Sequence, residues 1–451
     1  MDIKQPGHTI QQLNQNEHVR FAIVDIDGIL RGKSISVAKL KKAAESEPGF
    51  CNVIFGWDSA DLIYGEKGVT GWHTGYPDSK ATIDFSTFRR TPWNHQIPFF
   101  LADFRHAEDL SAVCPRTLLR NIAAEAKALG FEPKFATEYE WYNFEMPESG
   151  IGTISESGPK PITAGMFGYS MLRTSQYSSY VNDLFGMLRE FDVPLESIHT
   201  ETGNGAYEAA IEYTNVEEAA DRSVLFKTGV KEIAHKHGIS ASFMAKWSED
   251  LPGSGAHIHQ SLWDEQSSAN LFFAADNEAG MSQMMRHYLA GQLHCLPYIL
   301  PMLAPTINSY KRFVEGSWAS TTVSWGLDNR TTAVRVLAGR PESTRIELRV
   351  PGADVNPYLA IAASLASGLY GIKHEMDLDD PTQGNEYESE DAVGLPKTLK
   401  EAVSNMKGSD IANELFGEAF TSHFIQSREW ECLQFEKAVT NWELKRYFEI
   451  I

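Results

Sequence analysis

The sequence predicts an α+β fold, with a small strand-rich N-terminal domain set on a larger domain of strands and amphipathic helices. Three observations predict it. The 451 residues are 42% hydrophobic and 22% charged, a globular composition with apolar material for one large core or two unequal ones. Short β-prone segments separated by turns fill the first part of the chain. At Cys114-Pro115 the apolar spacing changes to that of a helix. The domain boundary is placed near residue 108, giving domains 1–108 and 109–451.

Val19 to Ser36, VRFAIVDIDGILRGKSIS, reads as strand, Asp-Gly turn, strand. IFGWDSADLIYG, ATIDFSTFRRTPW and FFLADFR continue the pattern of short strands. PRTLLRNIAAEAKALGF is a helix with Gly130 as its stop. Further helices are expected at Ser175–Phe191, Asn215–His237, Met281–Leu303 and Pro357–His374. Asp377 to Gly394, rich in Gly, Asp and Glu, reads as an exposed loop. The order of elements suits sheets with helices packed on one side better than regular βαβ alternation.

The formal net charge is −20, from 60 acidic and 40 basic residues. No basic footprint for nucleic acid is present, and nothing draws the chain to an anionic membrane. The first twenty residues lack the apolar core of a signal peptide, and runs such as Tyr298 to Ala304 are too short and Pro-broken to span a bilayer. Cys51, Cys114, Cys295 and Cys432 are scattered without a CxxC pair, so free thiols in a reducing cytoplasm are expected.

Four segments carry chemistry. In FATEYEWYNF, Glu138 and Glu140 lie i, i+2 on a β-prone run and face one way. Two carboxylates there repel unless a cation neutralises them; an exposed edge strand with acidic gatekeepers is the alternative. In IHTETGNGAYEAAIEY, Glu201 and Glu208 flank a Gly-X-Gly kink that can turn both acids toward one point, although loops rich in Gly and Glu are common. In GSGAHIHQSL, His257 and His259 again lie i, i+2, after glycines that permit a ligand to approach the backbone closely; a lone His pair can also be structural. In RPESTRIELRVPG, Arg345, Glu347 and Arg349 share a face, suited to metal and phosphate or to a surface ion-pair ladder. NSYKRFVEGSW and DNRTTAVRV add Arg312, Arg330 and Arg335. Five acids and a His beside several arginines suit a hard cation such as Mg2+ or Mn2+ and phosphoryl transfer.

Taken together, these segments resemble the glutamine synthetase family, in order along nearly the whole chain. EYEWY resembles the family's Glu-x-Glu strand, HTETGNGAYE its His-x-Glu segment, and ASFMAKW its Thr-Phe-Met-Pro-Lys-Pro. GSGAHIHQSL is similar to Gly-Ser-Gly-Met-His-x-His-x-Ser-Leu. NSYKRFVEG, DNRTTAVRV and RIELRVPGADVNPYLA resemble three Arg-bearing signatures. The resemblance implies a β-grasp N-terminal domain, a large C-terminal catalytic domain with a curved antiparallel sheet and flanking helices, and a homo-oligomer, a dodecamer of two hexameric rings. It implies two or more Mg2+ or Mn2+ ions per site and ATP as co-substrate. Glu140, Glu201 and Glu208 are expected to hold one metal, and Glu138, His257 and Glu347 the other. Arg312, Arg330 and Arg349 would hold glutamate and the phosphoryl group, with Gly253 also at the glutamate. Arg335, Arg345, His259 and Ser261 would meet ATP. Asp58 would serve a neighbouring subunit's amine pocket as a catalytic residue, and Tyr169 would line that pocket.

The sequence departs from the family at four places. The flap's Gly-x-Glu-Ala-Pro is here Gly316-Ser317-Trp318-Ala319-Ser320, so Trp318 replaces the Glu that deprotonates ammonium. Asp-Gly-Ser-Ser is here Asp58-Ser59-Ala60-Asp61. Pro252 stands where an Asn contacts glutamate, and Val393 where a regulatory tyrosine sits. An indole in place of the carboxylate favours a hydrophobic amine, with Trp57, Tyr64 and Phe313 as further wall candidates. The expected activity is ATP-dependent ligation of glutamate's γ-carboxylate to an alkyl or aryl amine through γ-glutamyl phosphate. The alternatives are ordinary glutamine synthesis from ammonia and a catalytically silent structural member.

Overall fold

The structure, a computed structural model, describes residue 13 and residues 15–43, 46–65, 67–147 and 158–451. The reading of the extreme N-terminus as free of a signal peptide falls mostly on residues 1–12, outside the described residues.

The expected hairpin forms from β1 (His18–Val24) and β2 (Leu30–Ser36), paired antiparallel from His18↔Ser36 to Val24↔Leu30. A longer loop replaces a two-residue turn, because Asp25 Oδ1 accepts the amides of Asp27 (3.0 Å) and Ile29 (2.8 Å). Gly28 sits there at φ +82°, and a Cβ on it would lie 2.9 Å from Asn356 Cα. After α1 (Val37–Ala43), β3 (Gly49–Cys51) and β4 (Asp78–Lys80) form a two-stranded ladder, and β5 (Thr82–Thr91) and β6 (Ile97–Asp103) follow. The four-stranded sheet has the order β2-β1-β6-β5, with β1 and β6 parallel.

IFGWDSADLIYG is not a strand. Asn52–Phe55 is a 3-10 turn, and beyond it the chain folds back with a single bridge, Trp57↔Ile63. Asp58 Oδ1 takes the amides of Ala60 (2.9 Å) and Leu62 (3.0 Å), which denies them to a ladder.

The larger part of the chain opens with α2 (Pro115–Ala128), Pro at its first turn and Gly130 at φ +84° beyond its end. Then come β7 (Phe131–Glu145), α3 (Met171–Gln176), α4 (Ser178–Glu190), β8 (Leu195–Thr200), β9 (Ala206–Ile211), β10 (Thr214–Asn215), α5 (Val216–Lys236), β11 (Ile239–Ser242), β12 (Ala256–Asp264) and α6 (Gln283–Leu303). They are followed by β13 (Trp325–Leu327), β14 (Val334–Leu337), β15 (Arg345–Leu348), α7 (Pro357–Lys373), α8 (Leu399–Lys407), α9 (Ile411–Phe416), α10 (Glu418–Lys437) and α11 (Asn441–Tyr447). One expected helix, Ser175–Phe191, is broken at Tyr177, whose hydroxyl donates to Ile162 O at 2.7 Å. Asn215, Ser282 and Asn356 cap α5, α6 and α7, each side chain accepting a first-turn amide.

A nine-stranded sheet runs β13-β14-β15-β12-β7-β9-β8, with β10 and β11 also on β7. Every pairing is antiparallel except β13 with β14. The segment Asp377 to Gly394 is irregular, as expected, but not wholly exposed. Glu386 is buried at 4% exposure, with its carboxylate accepting from Thr322 and Thr382.

Apolar side chains from both sheets and the helices join in one continuous core. A polar network crosses the joint. Asp103, at the end of β6 and fully buried, accepts from Arg105 (2.6 Å), Arg116 (2.8 Å) and Arg120 (2.9 Å). Arg116 on α2 continues to Asp221 on α5 at 2.9 Å, and Asp221 accepts the Tyr358 hydroxyl of α7. Burial would raise the Asp103 carboxyl, yet Arg105 and Arg116 outweigh it and hold it down to about 2. Replacing Asp103 with Ala removes the fully buried one of two carboxylates that three guanidinium groups share, leaving them Asp84. Asp103→Ala is expected to lose roughly 3 kcal/mol or more in urea unfolding, against little change for the exposed Lys400→Ala.

Candidate active site

The site is built by strand register. On β7, Tyr139 and Trp141 point into the core at 1% and 0% exposure, which turns Glu138 and Glu140 to the other face. Across the sheet, Glu140 pairs with Glu208 of β9, and Glu208 with His199 of β8. On the other side, Glu138 pairs with His257 of β12, His259 with Glu347 of β15, and Glu347 with Arg335 of β14. The sheet therefore lays a diagonal row of acids and imidazoles on one face. Glu201 joins it from the end of β8, where the bend through Gly203 and Gly205 begins.

This row floors a cavity of about 890 Å3. All six expected metal ligands line it: Glu138, Glu140, Glu201, Glu208, His257 and Glu347. So do Arg312, Arg330, Arg335, Arg349, Tyr169, Gly253 and Trp318. His259, Ser261 and Arg345 lie instead on a second cavity of about 230 Å3, and Glu138 lines both. The four residues expected at ATP are thus divided, Arg335 on the large cavity and the other three on the small one. There Arg345 Nε donates to His259 Nδ1 at 3.2 Å, and Ser261 Oγ accepts from Trp263 at 2.9 Å.

The ligand sets group differently from the expectation. Among the described residues, three groups have donor atoms within 4.8 Å of one another: Glu138–Glu208–His257, Glu138–His259–Glu347 and His199–Glu201–Glu208. Glu140 is in none of these groups; its Oε2 accepts the Gly255 amide at 2.6 Å, and its Oε1 lies 3.9 Å from His257 Nε2. His199 was not anticipated. Its signal was its place two residues before Glu201, where a strand puts both side chains on one face.

Charge is crowded here. Burial first, then Glu140, Glu138, Glu201 and Glu347, pushes the Glu208 carboxyl up to about 10. Glu138 is half-buried, and its desolvation is outweighed by His259 and His257, which hold it well below the usual carboxylate range. Glu347 is held down to about 2: burial raises it, and Arg349 and the two imidazoles outweigh that. Its oxygens accept from Arg349 Nη1 (2.5 Å) and Arg335 Nη1 (2.9 Å). Arg312 is buried and donates to Val350 O (2.9 Å) and Arg349 O (3.1 Å). A Cβ on Gly253 would lie 2.7 Å from Arg312 Cγ, and one on Gly255 2.7 Å from Arg312 Nη2. Those glycines make room for an arginine of this chain, where close approach of a ligand was expected. Arg330 is exposed and makes no ion pair among the described residues.

Trp318 is 58% exposed on the cavity at φ +62°. The Tyr169 ring lies against His199 with centroids 4.4 Å apart. The other aromatics expected in this wall are elsewhere. Trp57 lies under Arg31, Tyr64 packs on Trp430 and His423, and Phe313 on Tyr310. Asp58 does not line the cavity of its own chain. It is 8% exposed, and its second oxygen accepts the Trp430 indole N–H at 2.9 Å.

The donor set fits a hard divalent cation. Carboxylate oxygens with one or two imidazoles gather on one face, and among the described residues Glu208 pairs with no Lys or Arg, its basic neighbour being the His199 imidazole at 3.9 Å. Residues 112–447 match the family description "Glutamine synthetase, catalytic domain". The chain belongs to the glutamine synthetase family. It is 46% identical to Type-1 glutamine synthetase 2 of Dictyostelium discoideum over 98% of this chain and 85% of that one. It is 38% identical to the glutamate–isopropylamine ligase of a Pseudomonas species, over 96% of this chain and 95% of the relative. A solved structure of GmaS with ADP superimposes with a TM-score of 0.84 at 25% identity, covering 98% of this chain and 99% of that one. Glutamine synthetase family ligases use ATP and divalent Mg2+ or Mn2+. Among the described residues no helix is long and apolar enough to cross a membrane.

The crowding has a measurable sign. With its carboxyl raised, Glu208 keeps a proton in the folded chain that the unfolded chain releases above the ordinary carboxylate value. Folding stability therefore falls as pH rises from about 5 toward about 10. Buried Lys227, pushed down to about 7, gives the opposite slope above that pH, so the informative quantity is a difference. In EDTA, wild type should lose melting temperature relative to Glu208→Gln between pH 6 and pH 9. Mn2+ should remove that difference by neutralising the cluster; parallel curves in EDTA would contradict it.

Proposed function

We propose that the chain ligates the γ-carboxylate of glutamate to an organic amine, alkyl or aryl, with ATP converted to ADP and phosphate. The observation that carries the reading is Trp318, whose indole borders the cavity at the flap position where the family places a Glu. An indole offers a cation at most a modest cation–π contact. It offers an apolar substituent burial, on the order of 25 cal/mol per Å2, or roughly 2 kcal/mol for a ring-sized group. That exceeds a tenfold preference. Similarity to the glutamate–isopropylamine ligase supports the same class of acceptor.

In this reading ATP phosphorylates the glutamate side chain to γ-glutamyl phosphate, and the uncharged amine displaces phosphate. Arg312, Arg330 and Arg349 hold glutamate and the transferred group, and Gly253 lies at the glutamate. The Arg312 guanidinium is already oriented by two carbonyls, which fixes its fork before substrate arrives. Arg335, Arg345, His259 and Ser261 serve ATP. Glu138, Glu140, Glu201, Glu208, His257 and Glu347 would hold the divalent ions, which when bound offset charge on the phosphate oxygens. Tyr169 lines the amine pocket. Alkylamines, protonated at neutral pH like a lysine, need a base, and Asp58 is the candidate.

Asp58 lies away from its own chain's cavity, which supports its service to a neighbouring copy in a homo-oligomer, a dodecamer of two hexameric rings. The division near residue 108 is supported by the separate N-terminal sheet. Its order β2-β1-β6-β5 with a parallel central pair supports a β-grasp.

Ordinary glutamine synthesis from ammonia is the second reading, favoured by the 46% identity to the Dictyostelium type-1 enzyme. Phosphate release with glutamate and ATP over ammonium, isopropylamine and aniline separates the two. The amine ligase should favour an organic amine at least tenfold in kcat/KM, with Trp318→Glu reversing the order. Preference of wild type for ammonium would leave a glutamine synthetase with an unusual lid. Subunit sharing has its own check. Mixing inactive Asp58→Ala with inactive Glu347→Ala chains should restore some turnover, and none is expected if each chain completes its own site.

A further inference from the structure

Trp318 holds a backbone conformation that bulky side chains adopt only where their surroundings impose it, at φ +62° just after Gly316 at +76°. Several contacts impose it. Arg349 Nη2 donates to Trp318 O at 3.4 Å, and the Tyr387 hydroxyl donates to Ala319 O at 3.0 Å. Tyr387 belongs to the irregular segment after β15 and α7, far from Trp318 in sequence. That segment is anchored by Glu386, whose carboxylate accepts from Thr322 Oγ1 at 2.7 Å and Thr382 Oγ1 at 2.6 Å. The Glu386 amide donates to Thr331 Oγ1 at 3.0 Å, beside Arg330. Two backbone bonds complete the attachment, Val323 N to Val393 O and Leu395 N to Thr321 O, both 2.8 Å. Thr382, Gln383 and Gly384 of the same segment line the large cavity.

We propose that the 382–395 segment is a strap, in which Tyr387 is the positioning residue that sets Trp318 over the cavity and thereby tunes which amine is accepted. The proposal rests on the reading of Trp318 as the amine-facing wall. A buried carboxylate that accepts from two hydroxyls, on a residue whose own amide donates to Thr331 Oγ1, resists displacement, so Glu386 fixes the strap. The Tyr387 hydroxyl passes that fixity to the turn carrying the indole. Where the indole stands decides how much apolar surface an amine substituent can cover. Tyr387 itself touches no reacting atom.

The test is a double-mutant cycle on purified full-length enzyme, with isopropylamine and ammonium as probes. Tyr387→Phe removes only the hydroxyl. It should lower kcat/KM for isopropylamine about fivefold, the factor of one net hydrogen bond, and leave KM for ATP within about twofold. In a Trp318→Gly background the same change should have no effect, because the group it positions is gone. An equal loss in both backgrounds, or unchanged kcat/KM in wild type, overturns the strap. If wild type prefers ammonium, the amine reading fails by itself, and the cycle read on ammonium still judges the strap. Should Tyr387→Phe fold poorly, Thr322→Val loosens Glu386 from the other side, and its cycle is read by the same criterion.

Discussion

The site depends on how many carboxylates one face of a sheet can carry. Glu138 and Glu140 stand on the central strand β7, the adjoining β9 brings Glu208, and β15, one strand beyond β12, brings Glu347 to the same cavity. Like charges there raise one another's proton affinity, as Glu208 records. The fold answers the repulsion unevenly on the two sides. On the β15 side, Arg335 and Arg349 neutralise Glu347 with fixed guanidinium forks. On the β9 side no Lys or Arg among the described residues pairs with Glu208, and its basic neighbour is the His199 imidazole at 3.9 Å. The arginine-rich flank and the acid-rich flank meet at His257, 3.4 Å from Glu347 and 3.5 Å from Glu138.

Such a floor works only if its strands hold register. A slip of one residue would exchange the acids for Tyr139 and Trp141 and bury charge in the core. The aromatic packing beneath β7 opposes this: Tyr139 stacks on Phe226, and Trp141 on Phe243. Helix α5, which supplies Phe226, is also tied through Asp221 to Arg116 and so to Asp103 of the N-terminal sheet. The Gly28 turn docks at the same place, with Asn356, the cap of α7, donating to Asp25 O and Ile26 O. The catalytic floor and the N-terminal sheet therefore share one set of supports.

Around this fixed floor, the residues that would select the acceptor sit on less regular chain. Trp318 stands on a turn in a left-handed conformation, and Tyr169 on another at φ +56°, held by its amide on Thr200 O at 2.7 Å. Specificity can change on such turns without disturbing the ladder below, which is the usual division between a rigid scaffold and its loops.

The sequence by itself determined what depends on local periodicity. The i, i+2 spacing of Glu138 with Glu140 and of His257 with His259 fixed which side chains share a face. Gly130 and the caps at Asn215 and Asn356 fixed where helices begin and end, since each acts on its own backbone. Tertiary structure decided everything that needs a cross-strand or long-range partner. Glu140 is drawn to the Gly255 amide, His199 joins the acids, and His259 and Arg345 turn to a second cavity, because register and not spacing selects neighbours. Asp58 bends a segment that reads as a strand and then meets Trp430, and Glu386 is buried in what reads as an exposed loop. Trp57, Tyr64 and Phe313 leave the cavity wall for packing elsewhere. Composition cannot foresee most of these contacts, because partners such as Trp430 for Asp58 and Thr322 for Glu386 lie tens to hundreds of residues away and only the folded chain brings them within hydrogen-bonding reach.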